Sequence, residues 1–148
     1  MKIVAQRVNS ASVKIKGETI AGIQKGLVLL TGISHSDTDK DIDIAADKIC
    51  NLRIFEDDKG KINLSVRDVN GELLVVSQFT LLADLDKGRR PSFTRAASPD
   101  KAESIYNQFI ASLRNKGIKV ECGKFREYMQ LELVNDGPAT FIFETDRD

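Results

Sequence analysis

Apolar and polar positions alternate along this chain in short stretches, and one stretch near the middle organises the prediction. Leu73–Val76 is a continuous apolar run, which is typical of a strand buried on both faces. Three polar side chains follow it directly, those of Ser77, Gln78 and Thr80. Because a buried polar group without a partner is unfavourable, we expect this strand to end at a polar feature or a cleft. A second apolar strand runs into a Gly-Pro dipeptide within Leu133–Thr140, and these two strand ends mark the predicted site.

The remaining apolar segments predict a chain rich in strands and hairpins. A strand over Lys2–Asn9 comes first. Ser12–Ile15 and Thr19–Ile23 then flank Lys16-Gly17, where glycine permits the positive φ of a hairpin turn. The further strands are predicted at Leu27–Thr31, Leu52–Phe55, Ile62–Val66, Lys119–Cys122, Met129–Val134 and Thr140–Glu144.

Two segments carry apolar residues at helical spacing. The first runs from about Asp39 to Asn51, after a cluster of N-cap residues and with acidic side chains in its first turn. The second begins at Ser98-Pro99-Asp100, with serine as N-cap and proline at the first helical position, and Gly117 ends it. Since strands outnumber helices, we predict an α+β fold with a mostly antiparallel, barrel-like β-sheet and two main helices.

Length and composition predict a single globular domain over residues 1–148. The formal net charge is zero, so the chain as a whole presents no basic field to nucleic acid, and any such binding needs a local patch. No apolar run approaches the roughly 20 residues of a membrane span, and the first residues lack the apolar core of a signal peptide. Cys50 and Cys122 lie far apart in the sequence, and we interpret them as reduced cysteines of a cytoplasmic protein without metal or cofactor.

The usual catalytic motifs are missing from the sequence. His35 is the only histidine, and its Gly-Ile-Ser-His-Ser-Asp turn fits a capping or solvent-exposed role better than a catalytic triad. There is no P-loop, dinucleotide-binding glycine motif, HExxH or zinc-ligand spacing. Ser77 and Thr80 carry hydroxyl groups without an evident base, so each is either a hydrogen-bonded hydroxyl at a strand end or a nucleophile.

Gly137-Pro138 interrupts an apolar segment, and its proline needs a reason because proline cannot donate a hydrogen bond within a sheet. One interpretation is a simple turn between two strands. The other is a cis peptide bond, which turns successive carbonyl oxygens the same way. Paired carbonyl oxygens with no donor beside them suit an ammonium group. The residues alone leave both interpretations open.

Two motifs together resemble a known family. Ser77-Gln-Phe-Thr-Leu81 and Asn135-Asp-Gly-Pro-Ala-Thr140 are similar to the SQFTL and NxGPxT motifs of the D-aminoacyl-tRNA deacylases, also called D-tyrosyl-tRNA(Tyr) deacylases. Shorter matches follow in the same order along the whole chain, among them Arg53-Ile-Phe55 and Arg90-Pro-Ser-Phe93. Ala139 is a departure, since many members carry valine there, and the smaller side chain should only loosen the local packing.

The resemblance implies a homodimer that hydrolyses the ester bond of D-aminoacyl-tRNA at sites on the subunit interface. Gly137 and Pro138 would present backbone carbonyls to the substrate ammonium group and exclude L side chains, whereas D side chains and glycyl-tRNA would be accepted. The ribose 2′-OH of the terminal adenosine of the tRNA would assist hydrolysis. The catalytic positions carried over are Ser77, Gln78, Phe79 and Thr80. The backbone N–H groups of the last two would stabilise the oxyanion, and a nucleophilic Thr80 is the rival mechanism.

Further assignments carried over from the family keep alternatives. Arg7 is expected to hold the Gly-Pro segment in orientation, with a surface ion pair as the alternative. Phe125 and Met129 resemble substrate-binding positions that pack on the terminal adenine, although a core role fits them nearly as well. The loop from Ala83 to Arg95 is basic and either contacts acceptor-stem phosphates or is simply solvated.

Two rival functions come from other classes. A dimeric RNA-binding module without hydrolytic activity would use the basic loop, but the zero net charge argues against it. A small-molecule hydrolase would use Ser77 or Thr80 and need no RNA, but the sequence offers no recognisable base for it. Dependence of the activity on the tRNA end distinguishes this last candidate from a tRNA deacylase.

Overall fold

The computed structural model describes residues 1–145, and strands outnumber helices among them. The elements are β1 (Lys2–Ile15), β2 (Glu18–Ile23), β3 (Gly26–Gly32), α1 (Asp39–Asn51), β4 (Arg53–Glu56), β5 (Ile62–Ser65), β6 (Glu72–Ser77), a short 3-10 helix (Phe79–Leu82), α2 (Pro99–Asn115), β7 (Lys119–Cys122) and β8 (Gln130–Glu144). Six strands form one sheet in the order β2-β1-β3-β6-β7, with β8 paired to β1, and β4 and β5 form a separate hairpin. No helix in the described part of the chain is long and apolar enough to cross a membrane.

The apolar run in β6 is buried on both faces, as the sequence predicts. Leu73 and Val75 belong to a core cluster that includes both helices, whereas Leu74 and Val76 belong to a second cluster on the opposite face. Each of these side chains is at least nine-tenths buried, and burial of such a side chain contributes roughly 1.5–3 kcal/mol. Strands with two buried faces are typical of parallel pairing, and β6 is parallel to both β3 and β7.

The pairings of β1 are all antiparallel, and they make this strand longer than predicted. The expected break between Lys2–Asn9 and Ser12–Ile15 is wrong, because β1 continues from Lys2 to Ile15. Its first half pairs with β3 and its second half with β2, while β8 pairs with it along nearly the whole length. Only a shift in register between Val8 and Ser10 remains at the predicted break. β8 thereby covers the second core cluster through Leu131 and Leu133, which gives the mixed sheet its barrel-like form.

Both helices begin and end where the sequence predicts. Thr38 is the N-cap of α1, and its side chain and that of Asp41 form a capping box. Pro99 is the first residue of α2, and Gly117, with a φ of +86°, follows its last turn. The apolar faces of the two helices pack on one side of the sheet. The architecture is α+β, as predicted.

β8 also runs through the Gly-Pro dipeptide, so the two predicted strands Met129–Val134 and Thr140–Glu144 are one strand. On β1, Gln6 pairs with Thr140 and Val8 pairs with Asn135. Arg7 alone therefore lies opposite the segment Asp136–Ala139, which bulges out of the ladder. The interpretation of Gly137-Pro138 as a simple turn between strands is wrong, because long-range pairing with β1 continues on both sides of the bulge.

Candidate active site

The C-terminal end of β6 opens into a cavity of about 810 Å³. Its wall combines the end of β6, the 3-10 helix, the start of α2 and the loop before β8. The cavity contains six of the nine predicted site residues, namely Ser77, Gln78, Phe79, Thr80, Phe125 and Met129. The other three, Arg7, Gly137 and Pro138, do not line it.

The Ser77–Thr80 segment leaves the sheet with its backbone partly unpaired. The N–H of Gln78 donates to the carbonyl of Thr31 at 2.8 Å, which fixes the point where the chain turns into the 3-10 helix. The next two N–H groups, those of Phe79 and Thr80, donate to no acceptor within residues 1–145. They begin the 3-10 helix, and the first N–H groups of a helix have no acceptor within it. Two free backbone donors beside a cavity are suited to binding an oxyanion.

The side chains of this segment are arranged around Thr80. The amide of Gln78 donates a hydrogen bond to Oγ1 of Thr80, which leaves the hydroxyl proton of Thr80 free for another acceptor. Phe79 is 56% exposed, and its ring packs edge-to-face on that of Phe93 at a centroid distance of 5.1 Å. Gly32 lies beneath the segment, where an added Cβ would be 3.2 Å from the carbonyl oxygen of Gln78. A glycine there lets the segment lie close to β3.

Phe125 and Met129 line another part of the cavity wall, and each packs against a neighbouring residue. The ring of Phe125 contacts that of Tyr106 at 5.8 Å, and Met129 packs so closely on Gly123 that a Cβ there would lie 2.8 Å from its sulfur. Each side chain also packs against a core cluster, so lining the cavity and packing on the core are compatible.

Tyr106, a buried residue of α2, supports this wall, and the sequence analysis assigned it no role in the site. Its hydroxyl is buried and lies 2.9 Å from the carbonyl oxygen of Val75 and 3.1 Å from that of Gly123. Burial raises the pKa of Tyr106 above its usual value, so the hydroxyl remains protonated and able to donate. A hydroxyl on an otherwise apolar helix face was the available signal for this role.

The Arg7 side chain is buried and only 6% exposed. Its Nε donates to the carbonyl of Asp136 at 3.0 Å, and another guanidinium nitrogen donates to the carbonyl of Ile54 at 2.8 Å. The carboxylate of Asp136 lies farther away, at 3.8 Å. Arg7 thus connects the Asp136–Ala139 bulge to the hairpin of β4 and β5 by two hydrogen bonds.

The bulge itself is stabilised by the polar residues that flank it. The side-chain oxygen of Asn135 accepts from the N–H of Ala139 at 2.7 Å, and its amide donates to the hydroxyl of Thr140 at 3.2 Å. These contacts give the first and last residues of the NxGPxT motif a structural role that the sequence analysis did not assign. The Gly137–Pro138 peptide bond is cis, and both residues are exposed. The motif therefore presents a braced, exposed Gly-Pro on the outside of the sheet.

The basic loop predicted from the sequence lies next to this site through Phe93. Asp84 and Ser92 bridge its two ends by paired backbone hydrogen bonds. Its cationic side chains are exposed and form no ion pair within the described residues; they are Lys87, Arg89, Arg90 and Arg95. His35 is likewise exposed, and its backbone N–H donates to the carbonyl of Arg95. Among residues 1–145, no group of three or more His, Cys, Asp or Glu side chains is placed to bind a metal ion.

Comparison with known proteins now decides the family. The family model described as D-Tyr-tRNA(Tyr) deacylase matches residues 4–144. The chain belongs to this family. Its curated relatives include a D-aminoacyl-tRNA deacylase of Thermotoga petrophila, 51% identical over 99% of both chains, and one of Geobacillus sp., 56% identical over 98% of this chain and 95% of the relative. The family and the enzyme class predicted from the sequence are confirmed.

Two solved structures share the fold. The structure of a c-Myc DNA Unwinding Element Binding Protein superposes with a TM-score of 0.94 at 44% identity, and covers 99% of this chain and all of that one. The structure of a probable eukaryotic D-amino acid tRNA deacylase superposes with a TM-score of 0.84 over 96% of this chain and 97% of that chain. At 17% identity the second likeness concerns the fold alone. The predicted fold class is confirmed by both.

Proposed function

We propose that this D-aminoacyl-tRNA deacylase is a chiral proofreading enzyme of the cytoplasm. It cleaves the ester bond between a D-amino acid and the terminal adenosine of tRNA, and it excludes L-aminoacyl esters. The single observation that carries the proposal is the combination of a cavity lined by the Ser77–Thr80 segment with two free backbone N–H groups in its wall. Such a site binds developing negative charge without supplying a base, which suits an ester whose RNA portion takes part in the chemistry.

The free N–H groups of Phe79 and Thr80 stabilise the oxyanion that forms when the ester carbonyl is attacked. One well-placed donor of this kind contributes about 3 kcal/mol to the transition state. The cavity is large enough for an adenosine as well as an ester, and Phe125 and Met129 provide the apolar surface on which the adenine packs. Ser77 and Gln78 position the segment, Gln78 through its hydrogen bond to Thr80.

The ribose 2′-OH of the terminal adenosine assists hydrolysis, and Thr80 is not the nucleophile. The Thr80 hydroxyl accepts a hydrogen bond from the Gln78 amide, an uncharged donor that cannot remove its proton. No histidine lies among the described residues that line the cavity. Thr80→Ala should therefore retain substantial activity, whereas a tRNA ending in 2′-deoxyadenosine should be a poor substrate. The opposite pair of results would make Thr80 the nucleophile.

The chiral filter is supplied by a second copy of the chain. Gly137 and Pro138 are exposed and do not line the cavity of their own chain. β8 also exposes two large apolar side chains on either side of this segment, those of Val134 at 54% and Ile142 at 68%. Exposed apolar side chains around a braced loop are suited to a subunit interface. In the homodimer, the Gly137–Pro138 carbonyls of one subunit hold the substrate ammonium in the cavity of the other, where an L side chain would meet the backbone.

The requirement for tRNA tests the proposal against a small-molecule esterase. We would compare hydrolysis of D-tyrosyl-tRNA with that of D-tyrosine ethyl ester at equal substrate concentrations. The proposal predicts rapid turnover of the tRNA ester and little of the ethyl ester, because the ethyl ester lacks both the adenosine and the 2′-OH. Equal turnover of the two would favour the esterase. Tight binding of the tRNA without turnover would favour a binding module.

A further inference from the structure

We propose that the ring of Tyr128 is a stacking surface for the nucleobase that precedes the terminal adenosine of the bound RNA. Tyr128 lines the mouth of the cavity and is 89% exposed, more than any other large hydrophobic side chain in the described residues. The inference rests on the proposed function, because it takes the cavity as the site of the terminal nucleoside. It adds a second binding position at the mouth of the cavity.

The backbone around Tyr128 is held in place even though the ring is not. Phe125 packs on Tyr106 and Met129 packs on Gly123, so both sides of the loop are attached to the core. Between them, Arg126 has a φ of +67°, and the N–H of Glu127 donates to the carbonyl of Lys124 at 3.4 Å. This tight turn directs Tyr128 outward from a fixed base. A pre-positioned aromatic ring loses little conformational entropy when a planar ligand stacks on it.

Position and charge favour a nucleobase as the ligand. When an adenosine occupies the cavity, the 5′ phosphate and the preceding nucleotide leave through the mouth, where Tyr128 lies. Arg126 lines the cavity beside Tyr128, as does Glu127, and Lys124 lies earlier in the same loop. The only ion pair of Arg126 in the described residues is a loose one of 3.6 Å with the fully exposed Asp100. Cationic side chains beside an exposed aromatic ring are the usual combination in single-stranded RNA binding, where stacking tolerates any base.

Binding measurements test the stacking role apart from catalysis. The probe is an RNA hairpin that carries no amino acid and ends in a single-stranded CCA. Adenosine alone serves as the ligand without a preceding base. Tyr128→Ala should weaken hairpin binding by roughly 10-fold or more and leave adenosine binding unchanged. Tyr128→Phe should bind both like the wild type. Ile62→Ala is the matched control, because Ile62 is 57% exposed on the separate hairpin and away from the cavity.

Three results would overturn the inference. An equal loss of hairpin and adenosine binding would mean that Tyr128 only shapes the cavity. An unchanged affinity for the hairpin would mean that no base stacks on the ring. A change of molar mass in solution for Tyr128→Ala, with hairpin binding restored at higher protein concentration, would make Tyr128 a contact between subunits. Hairpin binding that depends on Tyr128, in a protein that hydrolyses no D-aminoacyl-tRNA, would support the stacking role and refute the proposed function alone.

Discussion

Replacing Arg7 with methionine should loosen the bulge at Asp136–Ala139 while leaving the paired parts of β8 in place. Arg7 is the only residue of β1 opposite this segment, and its guanidinium group holds the carbonyl of Asp136 at 3.0 Å and that of Ile54 at 2.8 Å. Methionine has a similar length and fills the space, but it donates to neither carbonyl. The substitution thus removes the orienting contacts and keeps most of the packing.

The two lost hydrogen bonds have different consequences. A hydrogen bond from a charged donor contributes about 1.5–3 kcal/mol. The contact to Ile54 is buried, so its loss lowers the free energy of unfolding, and the melting temperature should fall by about 5 °C. The contact to Asp136 is only partly buried, so water replaces it and the bulge can move. A loss of about 1.4 kcal/mol in the preference for the productive orientation corresponds to about a 10-fold lower ratio of D to L hydrolysis.

The assay is the ratio of initial hydrolysis rates on D-tyrosyl-tRNA and L-tyrosyl-tRNA, measured below the melting temperature. Lys14→Met is the matched control, because Lys14 also lies on β1 and contacts β8 through the exposed pair with Glu132 at 3.2 Å. An exposed pair contributes little to stability, so the control should keep both the melting temperature and the D to L ratio. If Arg7→Met melts lower and yet keeps the wild-type ratio, Arg7 stabilises the fold without orienting the filter.

Glycyl-tRNA should be hydrolysed, since glycine has no side chain to meet the Gly137–Pro138 backbone, and a purified enzyme that ignores it at every concentration would refute exclusion as the filter. Ile142→Asp should be a monomer in light scattering and should show no deacylase activity, whereas Ile62→Asp should remain dimeric and active. A dimeric and active Ile142→Asp protein would show that the interface lies elsewhere. The backbone N–H of Gln24 lowers the pKa of Glu72 from 4.5, so this carboxylate stabilises the fold above that pH and loses its contribution as the pH falls through its lower folded pKa. Below pH 4.5, the free energy of unfolding of Glu72→Gln should therefore fall less steeply with decreasing pH than that of the wild type. The same pH dependence in both proteins would contradict this.

Local patterns in the sequence predicted the elements better than the way they pair. The Leu73–Val76 run indicates a strand with two buried faces, and the two core clusters confirm it. The run does not indicate that β6 is parallel to β3 and β7. Direction depends on the connections, which here contain α1 and the β4–β5 hairpin on one side of β6 and α2 on the other. The pattern predicts these elements, but not the position and direction of the strand that follows each of them.

The Gly-Pro segment shows where local reasoning fails. A proline and a glycine predict the end of a strand, yet β8 continues because β1 pairs with it on both sides of the bulge. Asn135 supplies hydrogen bonds to Ala139 and Thr140 that the interrupted ladder no longer provides. Only the resemblance to the family indicated that these residues act together.

Long-range contacts account for the other residues that the sequence analysis missed. Asp37 lies in the cluster of N-cap residues before α1, but its carboxylate is buried against the α-amino group of Met1 and also accepts from the N–H of Ser34. Tyr106 reaches carbonyl groups on two other elements. In both cases the residue type shows a polar group and the fold alone shows its partner. Ser77–Thr80 could be predicted as part of the cavity because their motif is contiguous in the sequence, whereas Phe125 and Met129 were indicated only by the resemblance to the family.

The chiral filter is tested most directly by hydrolysis of D-tyrosyl-tRNA and L-tyrosyl-tRNA, side by side, at matched low enzyme concentrations. We expect rapid loss of the D ester while the L ester stays intact, because in the proposed mechanism the Gly137–Pro138 backbone admits only the D side chain. Loss of both esters at similar rates would contradict the chiral filter. Loss of neither, from a folded and dimeric protein, would contradict the proposed deacylase activity itself.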